Sequence, residues 1–352
     1  MVRQLSFTTL CFFINIYLIK AMPKKILITR VIPNIAYELL TEAGFEVIVW
    51  QGDEPMNQRK LIEQAKSVNA LLSLGSNNLN QIFFDECAHL DVIAQFAVGY
   101  DNIDVTAATD AGIPVSNTPD VLSEATADVA FGLMIAVSRK MFYLHKTIGQ
   151  GQWKKFEPLK NLGIELSGKT LGIFGMGRIG MVMAQRCQGA YKMNVIYHNR
   201  SRNEEAENLF GARYVSFEEL LSESDVLSVH SVLSAETRGI FNKESFSKMK
   251  RNAIFINTSR GGVHNEEDLT EALRTKTIWG TGLDVTNPEP MLPSNPLLSM
   301  PNAAVLPHIG SATEEARYGM ARLAAENIIE FYTHGKMITC VNPEALSILK
   351  DK

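Results

Sequence analysis

Gly175, Gly177 and Gly180 stand in G-x-G-x-x-G spacing inside "TLGIFGMGRIG". That spacing suits the seating of a pyrophosphate on main-chain N–H groups. The first glycine permits a tight turn, the second lets the backbone approach the anion, and the third lets a helix pack closely on a strand. The anion then lies at a helix N-terminus, whose first N–H groups have no intrahelical partner. Arg178 and Ile179 lie within the same loop. A second stretch, "VIYHNRSR" (195–202), bears on which nucleotide is bound. Asn199 falls nineteen positions after Gly180, where an acid would accept hydrogen bonds from the ribose hydroxyls of NAD. Asparagine does not repel a 2′-phosphate, and Arg200 and Arg202, with Ser201 between them, offer charge-assisted bonds to one. The expectation is NADP(H) in preference to NAD(H), with NAD(H) possible. The competing reading leaves both arginines as decoration on a solvated loop.

The elements that must position these residues alternate. "KILITR" (25–30), "FEVIVW" (45–50), "ALLSLG" (70–75), "DVIAQF" (91–96) and "GIPVSNTP" (112–119) read as strands separated by helical spacing. A long helical pattern, "SEATADVAFGLMIAVSRKMFYLHKTI", follows with Ser123 as its candidate cap. Then comes a second series of strands: 170–175, 194–198, 226–231, 253–259, 280–285 and 303–308. Such β-α alternation predicts parallel sheets with helices on both faces. The fold class expected is α/β, two doubly wound parallel-sheet domains, a Rossmann nucleotide domain inserted into a flavodoxin-like substrate domain. The expected boundaries are 23–121 with 308–345 for the substrate-binding domain and 122–307 for the nucleotide domain. Arg260, Asp284, Glu289 and His308 each fall at or just beyond the carboxyl end of an apolar strand, the edge where open α/β sheets bind ligands.

With 352 residues, 46% hydrophobic and 20% charged, the chain is long enough for two such domains, and a net charge of −4 offers no global attraction to nucleic acid or an anionic membrane. Cys11, Cys87, Cys187 and Cys340 are widely spaced, with no metal-ligand pattern. They read as reduced thiols of a cytoplasmic protein that holds no metal. Residues 1–22 stand apart: Leu5–Ile19 is apolar, and "KAMPKK" follows. One reading is a secretory h-region lacking a small-residue cleavage site. The other, preferred, is an extension upstream of a start at Met22.

The ordered set G-x-G-x-x-G, N-x-S-R-G (257–261), G-L-D-V…P-E-P (282–290) and P-H-I-G-S-A-T (307–313) resembles the D-isomer-specific 2-hydroxyacid dehydrogenase family, glyoxylate/hydroxypyruvate reductase branch. The resemblance runs from about Lys24 to about Pro343. It implies NAD(P)-dependent interconversion of a small 2-oxo acid and a D-2-hydroxy acid. By position, Arg260 would bind the substrate carboxylate and the adjacent carbonyl oxygen, and His308 would be the acid/base. Glu289 would hold the imidazole and favour its protonated form. Val98 and Gly99 in "AVGYDNID" would offer backbone N–H groups to the carboxylate. Thr258, Asp284 and Gly310 would lie by the cofactor, with Asp284 near the nicotinamide carboxamide. The family also implies an active site in the interdomain cleft and a homodimer built on residues 123–160, with Phe156 of "GQWKKFEP" capping the partner's pocket. Two departures stand out. Val232 takes the place of the proline many relatives carry after the third strand of the nucleotide domain, and His264 takes the place of valine in "RG-x-V-V". Both departures lie near the nicotinamide side. Alternatives to a glyoxylate or hydroxypyruvate reductase are a reductase of a larger 2-oxo acid such as 2-ketogluconate, and a dinucleotide-sensing regulator on the same fold.

Overall fold

The computed structural model describes residues 23–348. The expectation for residues 1–22 lies outside the described residues. The chain divides into two compact units, one formed by residues up to Pro119 together with those from Arg317 on, the other by Asp120–Ala316.

The smaller unit is built on one five-stranded sheet. Its strands are β1 (Lys25–Ile28), β2 (Glu46–Val49), β3 (Ala70–Leu74), β4 (Val92–Phe96) and β5 (Val115–Ser116). They run parallel in the order β2-β1-β3-β4-β5, the doubly wound order expected for a flavodoxin-like domain. β4 is buried throughout, as a strand covered on both faces must be, and therefore reads as an unbroken apolar run apart from Gln95. Gln95 is satisfied inside: its Oε1 accepts from Ser73 Oγ at 2.5 Å and its Nε2 donates to Asn102 Oδ1 at 2.8 Å.

The larger unit carries a seven-stranded parallel sheet in the order β12-β11-β10-β9-β6-β7-β8. Its strands are β6 (Thr170–Phe174), β7 (Asn194–His198), β8 (Arg213–Tyr214), β9 (Val226–Val229), β10 (Ile254–Asn257), β11 (Gly280–Leu283) and β12 (Ala303–Val305). The order reverses between β6 and β9, which makes the crevice beyond their carboxyl ends the topological switch point. The edge strand β8 is two exposed residues long, too short to show an alternation in sequence.

Three local expectations are corrected. The long helical pattern is two helices, α1 (Ser123–Ser138) and α2 (Met141–Gly149), because Lys140 adopts a left-handed conformation at φ 56°. The backbone of Gly163 and Ile164 packs on the end of α1, the Ile164 N–H donating to Ser138 O at 3.0 Å. Ser123 is the first helical residue rather than the cap; Leu122 occupies the cap and offers no side-chain acceptor. The second domain crossing also moves: the chain leaves the larger unit after Ala316, so His308 belongs to the larger unit and not to the smaller one. The reason is local, since the His308 N–H donates to Asp284 O at 2.9 Å and the next two N–H groups bond the Asp284 carboxylate.

Candidate active site

β6 delivers Gly175 to the switch point with φ +99°, a conformation that side-chain-bearing residues rarely adopt. A Cβ there would meet the carbonyl carbon of His230 and the nitrogen of Ser231, each at 2.7 Å, at the end of β9. Gly177 caps the following helix, α3 (Arg178–Tyr191), and Gly180 packs so closely that a Cβ would lie 2.7 Å from Gly175 O. The tight turn and the close helix–strand packing are therefore both present. The N–H groups at the start of α3 stand beyond the reach of intrahelical bonding, the arrangement that takes an anion. Arg178 at that start pairs with Asp120, both exposed.

At the end of β7 the residues expected at the ribose make contacts within the chain. Asn199 Oδ1 accepts the Met176 N–H at 2.6 Å, so the side chain braces the glycine loop. Asn203 holds the next peptide of the loop, its Nδ2 donating to Met176 O at 2.9 Å. Arg202 makes a two-bond fork with Glu207, Nε to Oε1 at 3.0 Å and Nη2 to Oε2 at 2.6 Å, and Tyr197 Oη donates to the same carboxylate at 2.6 Å. Hydrogen bonds from Arg202 and Tyr197 hold the Glu207 carboxyl below its ordinary range. Arg200 and Ser201 are exposed. Arg200's charge acts on Glu236.

The catalytic candidates come together at the ends of β10, β11 and β12. His308 Nδ1 lies 2.5 Å from Glu289 Oε1, and both side chains remain partly open to solvent. Burial opposes ionisation of Glu289. The His308 hydrogen bond and charge, the Thr286 N–H and the Arg260 charge together outweigh it, leaving the carboxyl below its ordinary range. Arg260 is thus close enough to share the field of the pair; its Nη1 donates to Ser259 O at 2.9 Å. His308 holds φ 54°, an uncommon conformation for a non-glycine residue. Asp284 holds it there. This acid is 1% exposed, its Oδ1 accepts from Ile309 N–H at 2.8 Å and its Oδ2 from Gly310 N–H at 2.7 Å. Burial raises the Asp284 carboxyl above its usual value despite those two donors. Asp284 therefore faces the backbone beside His308, and the Gly310 N–H and carbonyl are spent on Asp284 and Thr126 Oγ1.

Between these two groups lie polar atoms with no partner among the described residues: Thr258 Oγ1 at the end of β10, and His230 Nδ1 and Ser231 Oγ at the end of β9. Unpaired buried polar atoms at a switch point fit a polar ligand seated there. Together with the glycine turn, they fit a nicotinamide dinucleotide. Val232 is 58% exposed. In the smaller unit, Val98 and Gly99 follow β4, with Val98 O accepting from Asn117 Nδ2 at 2.9 Å. Among the described residues neither N–H donates a backbone hydrogen bond outside the strands. Phe156 is 85% exposed on the irregular segment after α2, and Trp153 is also exposed. No group of three or more His, Cys, Asp or Glu among the described residues could hold a metal ion, and no helix among them is long and apolar enough to cross a membrane.

Sequence reasoning missed Asn203 and Glu207, whose only signal was an N-cap asparagine followed by acids. It also missed Asn257, which sits inside the N-x-S-R-G motif but reads there as a strand end.

Residues 131–310 match the family model for the D-isomer specific 2-hydroxyacid dehydrogenase, NAD binding domain. A glyoxylate reductase of Thermococcus litoralis is 44% identical over 88% of this chain and 94% of its own length. One from Pyrococcus furiosus is 43% identical over 94% of this chain and 98% of its own. Among solved structures, an NADPH-dependent glyoxylate/hydroxypyruvate reductase from Sinorhizobium meliloti in complex with NADP and malonate superposes with a TM-score of 0.80 at 32% identity, covering 92% of this chain and 98% of that one. Motif order, sheet topology and these likenesses agree: the chain belongs to the D-isomer-specific 2-hydroxyacid dehydrogenase family of NAD(P)-dependent oxidoreductases, on its glyoxylate reductase branch.

Proposed function

We propose that this chain is a cytoplasmic, NADPH-preferring reductase of small 2-oxo acids, glyoxylate and hydroxypyruvate, acting as a homodimer. The observation that carries the reading is the His308–Glu289 hydrogen bond within the field of Arg260. Bound NADPH supplies a hydride to the carbonyl carbon. Arg260 grips the substrate carboxylate and carbonyl oxygen with its planar fork. His308 Nδ1 is taken by Glu289, so Nε2 gives its proton to the carbonyl oxygen as the 2-hydroxy acid forms. Glu289 stabilises the protonated imidazole before transfer and its recharging from solvent afterwards. The glycine loop, Asn199, Arg200, Ser201 and Arg202 face the adenosine end of the cofactor; Thr258 lies toward the nicotinamide end.

The NADPH preference rests on Arg200, since Arg202 already carries Glu207. Ile148, Trp153, Phe156, Leu159 and Leu162 expose apolar surface along one stretch of the larger unit, which supports pairing there and Phe156 as a residue offered to the partner. The free thiols of Cys87, Cys187 and Cys340 support a reducing compartment. Steady-state NADPH and NADH oxidation with glyoxylate, hydroxypyruvate and 2-ketogluconate tests the substrate reading. Turnover confined to the largest substrate, or none with any, would contradict it.

A further inference from the structure

We propose that His264, which stands where many relatives carry valine, is a positioning residue that fixes the Arg260 loop through Asn257. The proposal rests on the reading that Arg260 binds the substrate carboxylate.

Asn257 ends β10 and is fully buried. Its Oδ1 accepts both the Ser259 N–H and the Ser259 hydroxyl, each at 2.9 Å. A backbone N–H can only donate, so this fixes the amide orientation and points Nδ2 the other way. One Nδ2 proton goes to Arg260 O at 2.9 Å and the other to His264 Nδ1 at 3.0 Å. All four hydrogen-bonding positions of the amide are then used. Arg260 O also accepts the Val263 N–H at 3.2 Å, so the carbonyl that launches the Arg260 side chain is held on two sides.

The same geometry fixes the state of His264. Nδ1 must accept, so the imidazole is neutral and its proton is on Nε2. That Nε2 is buried without a partner among the described residues, in a ring that is 1% exposed and packed edge-on against Phe255. Burial pushes the imidazole down to about 4, so it stays an acceptor at neutral pH. An orphaned buried donor costs stability. Valine would remove that donor but leave the second Asn257 Nδ2 proton unpaired; what histidine adds is the Nδ1 acceptor for Asn257 and, through it, for Arg260.

The test separates positioning from mere packing. His264→Phe keeps a ring against Phe255 and removes both nitrogens, the orphaned donor included. It exchanges one unpaired buried donor for another, the Asn257 Nδ2 proton, so it should melt close to the unmodified protein, while its KM for glyoxylate rises about 3- to 10-fold, the worth of one hydrogen bond. His264→Asn places an oxygen where Nδ1 stood and loses packing. It should melt lower, yet keep KM within about twofold of the unmodified protein. Should His264→Phe fail to fold, His264→Val, which also lacks an acceptor, takes its place. In each variant the NADPH dissociation constant, measured by fluorescence without substrate, should stay unchanged. KM that follows the melting temperature across the variants, or that moves in none of them, overturns the proposal. Arg260→Lys is run in parallel. If it leaves KM unchanged, the reading of Arg260 is wrong; if it raises KM while His264→Phe does not, only the role of His264 falls.

Discussion

At the scale of single residues, the pairing of His308 with Glu289 fixes the ring. The Glu289 carboxyl, held below its ordinary range, takes Nδ1 and leaves Nε2 as the donor. Glu289→Gln removes that charge and should lower kcat by roughly tenfold or more, the worth of a charge-assisted hydrogen bond, with NADPH affinity unchanged; an unchanged kcat would deny Glu289 this role. The cofactor residues divide in the same way. Arg202 is spent on Glu207, whereas Arg200 makes no hydrogen bond or ion pair among the described residues. Arg200→Ala should therefore cost NADPH roughly tenfold or more in kcat/KM and leave NADH near its starting value, as a charge-assisted bond to phosphate contributes about 1.5–3 kcal/mol. Arg202→Ala should cost NADPH less. Equal losses for both cofactors in Arg200→Ala would mean that the arginine serves folding instead. Both arginines were legible in the sequence, but the Glu207 partner was not. It lies a helical turn away, and only the folded loop brings Tyr197, Arg202 and Glu207 together.

At the scale of elements, the glycine loop is where spacing alone carried the most information. A strand, three glycines at fixed offsets and a helix-competent run specify a tight turn, and the structure has that turn, with no room for a side chain at Gly175 or Gly180 and open space beside Gly177. Gly175→Ala should lower NADP(H) binding by at least tenfold and reduce stability by about 1–3 kcal/mol, because it adds a strained positive-φ residue and a clash with His230. Unchanged binding in titration calorimetry would remove the loop from the cofactor site. The break between α1 and α2 was not legible, because Arg139 and Lys140 suit a helix interior. The signal that ends α1 comes from Gly163 and Ile164, more than twenty residues later. The Asp284 brace was not legible for a related reason. An acid at a strand end reads as a ligand contact, and only the turn after β12 reveals two backbone N–H groups aimed at it.

At the scale of the whole molecule, two buried imidazoles tie stability to pH. Burial pushes His230 and His264 each down to about 4, while in the unfolded chain a histidine titrates near 6.5. Between those values the unfolded state binds protons that the folded state refuses, so stability falls as pH drops from about 6.5 toward about 4. Urea midpoints across that window should decline with a slope approaching two protons, and His264→Phe should remove about one of them. A flat profile would show that these rings are not held neutral. The strand series and the insertion of one unit in another were readable from alternation alone, whereas the crossing after Ala316 was not, because the bonds that keep His308 in the larger unit are made by backbone N–H groups and leave no mark in composition.

The central claim is that His308 protonates a 2-oxo acid bound by Arg260 while NADPH is oxidised. Its most direct test is stopped-flow NADPH oxidation with saturating glyoxylate, comparing the unmodified protein with His308→Ala, alongside NADPH affinity in both. The account predicts turnover in the first, a kcat roughly 10²–10⁴-fold lower in the second, and unchanged affinity for NADPH. Near-normal turnover in His308→Ala, or NADPH binding without turnover in the unmodified protein, would contradict it.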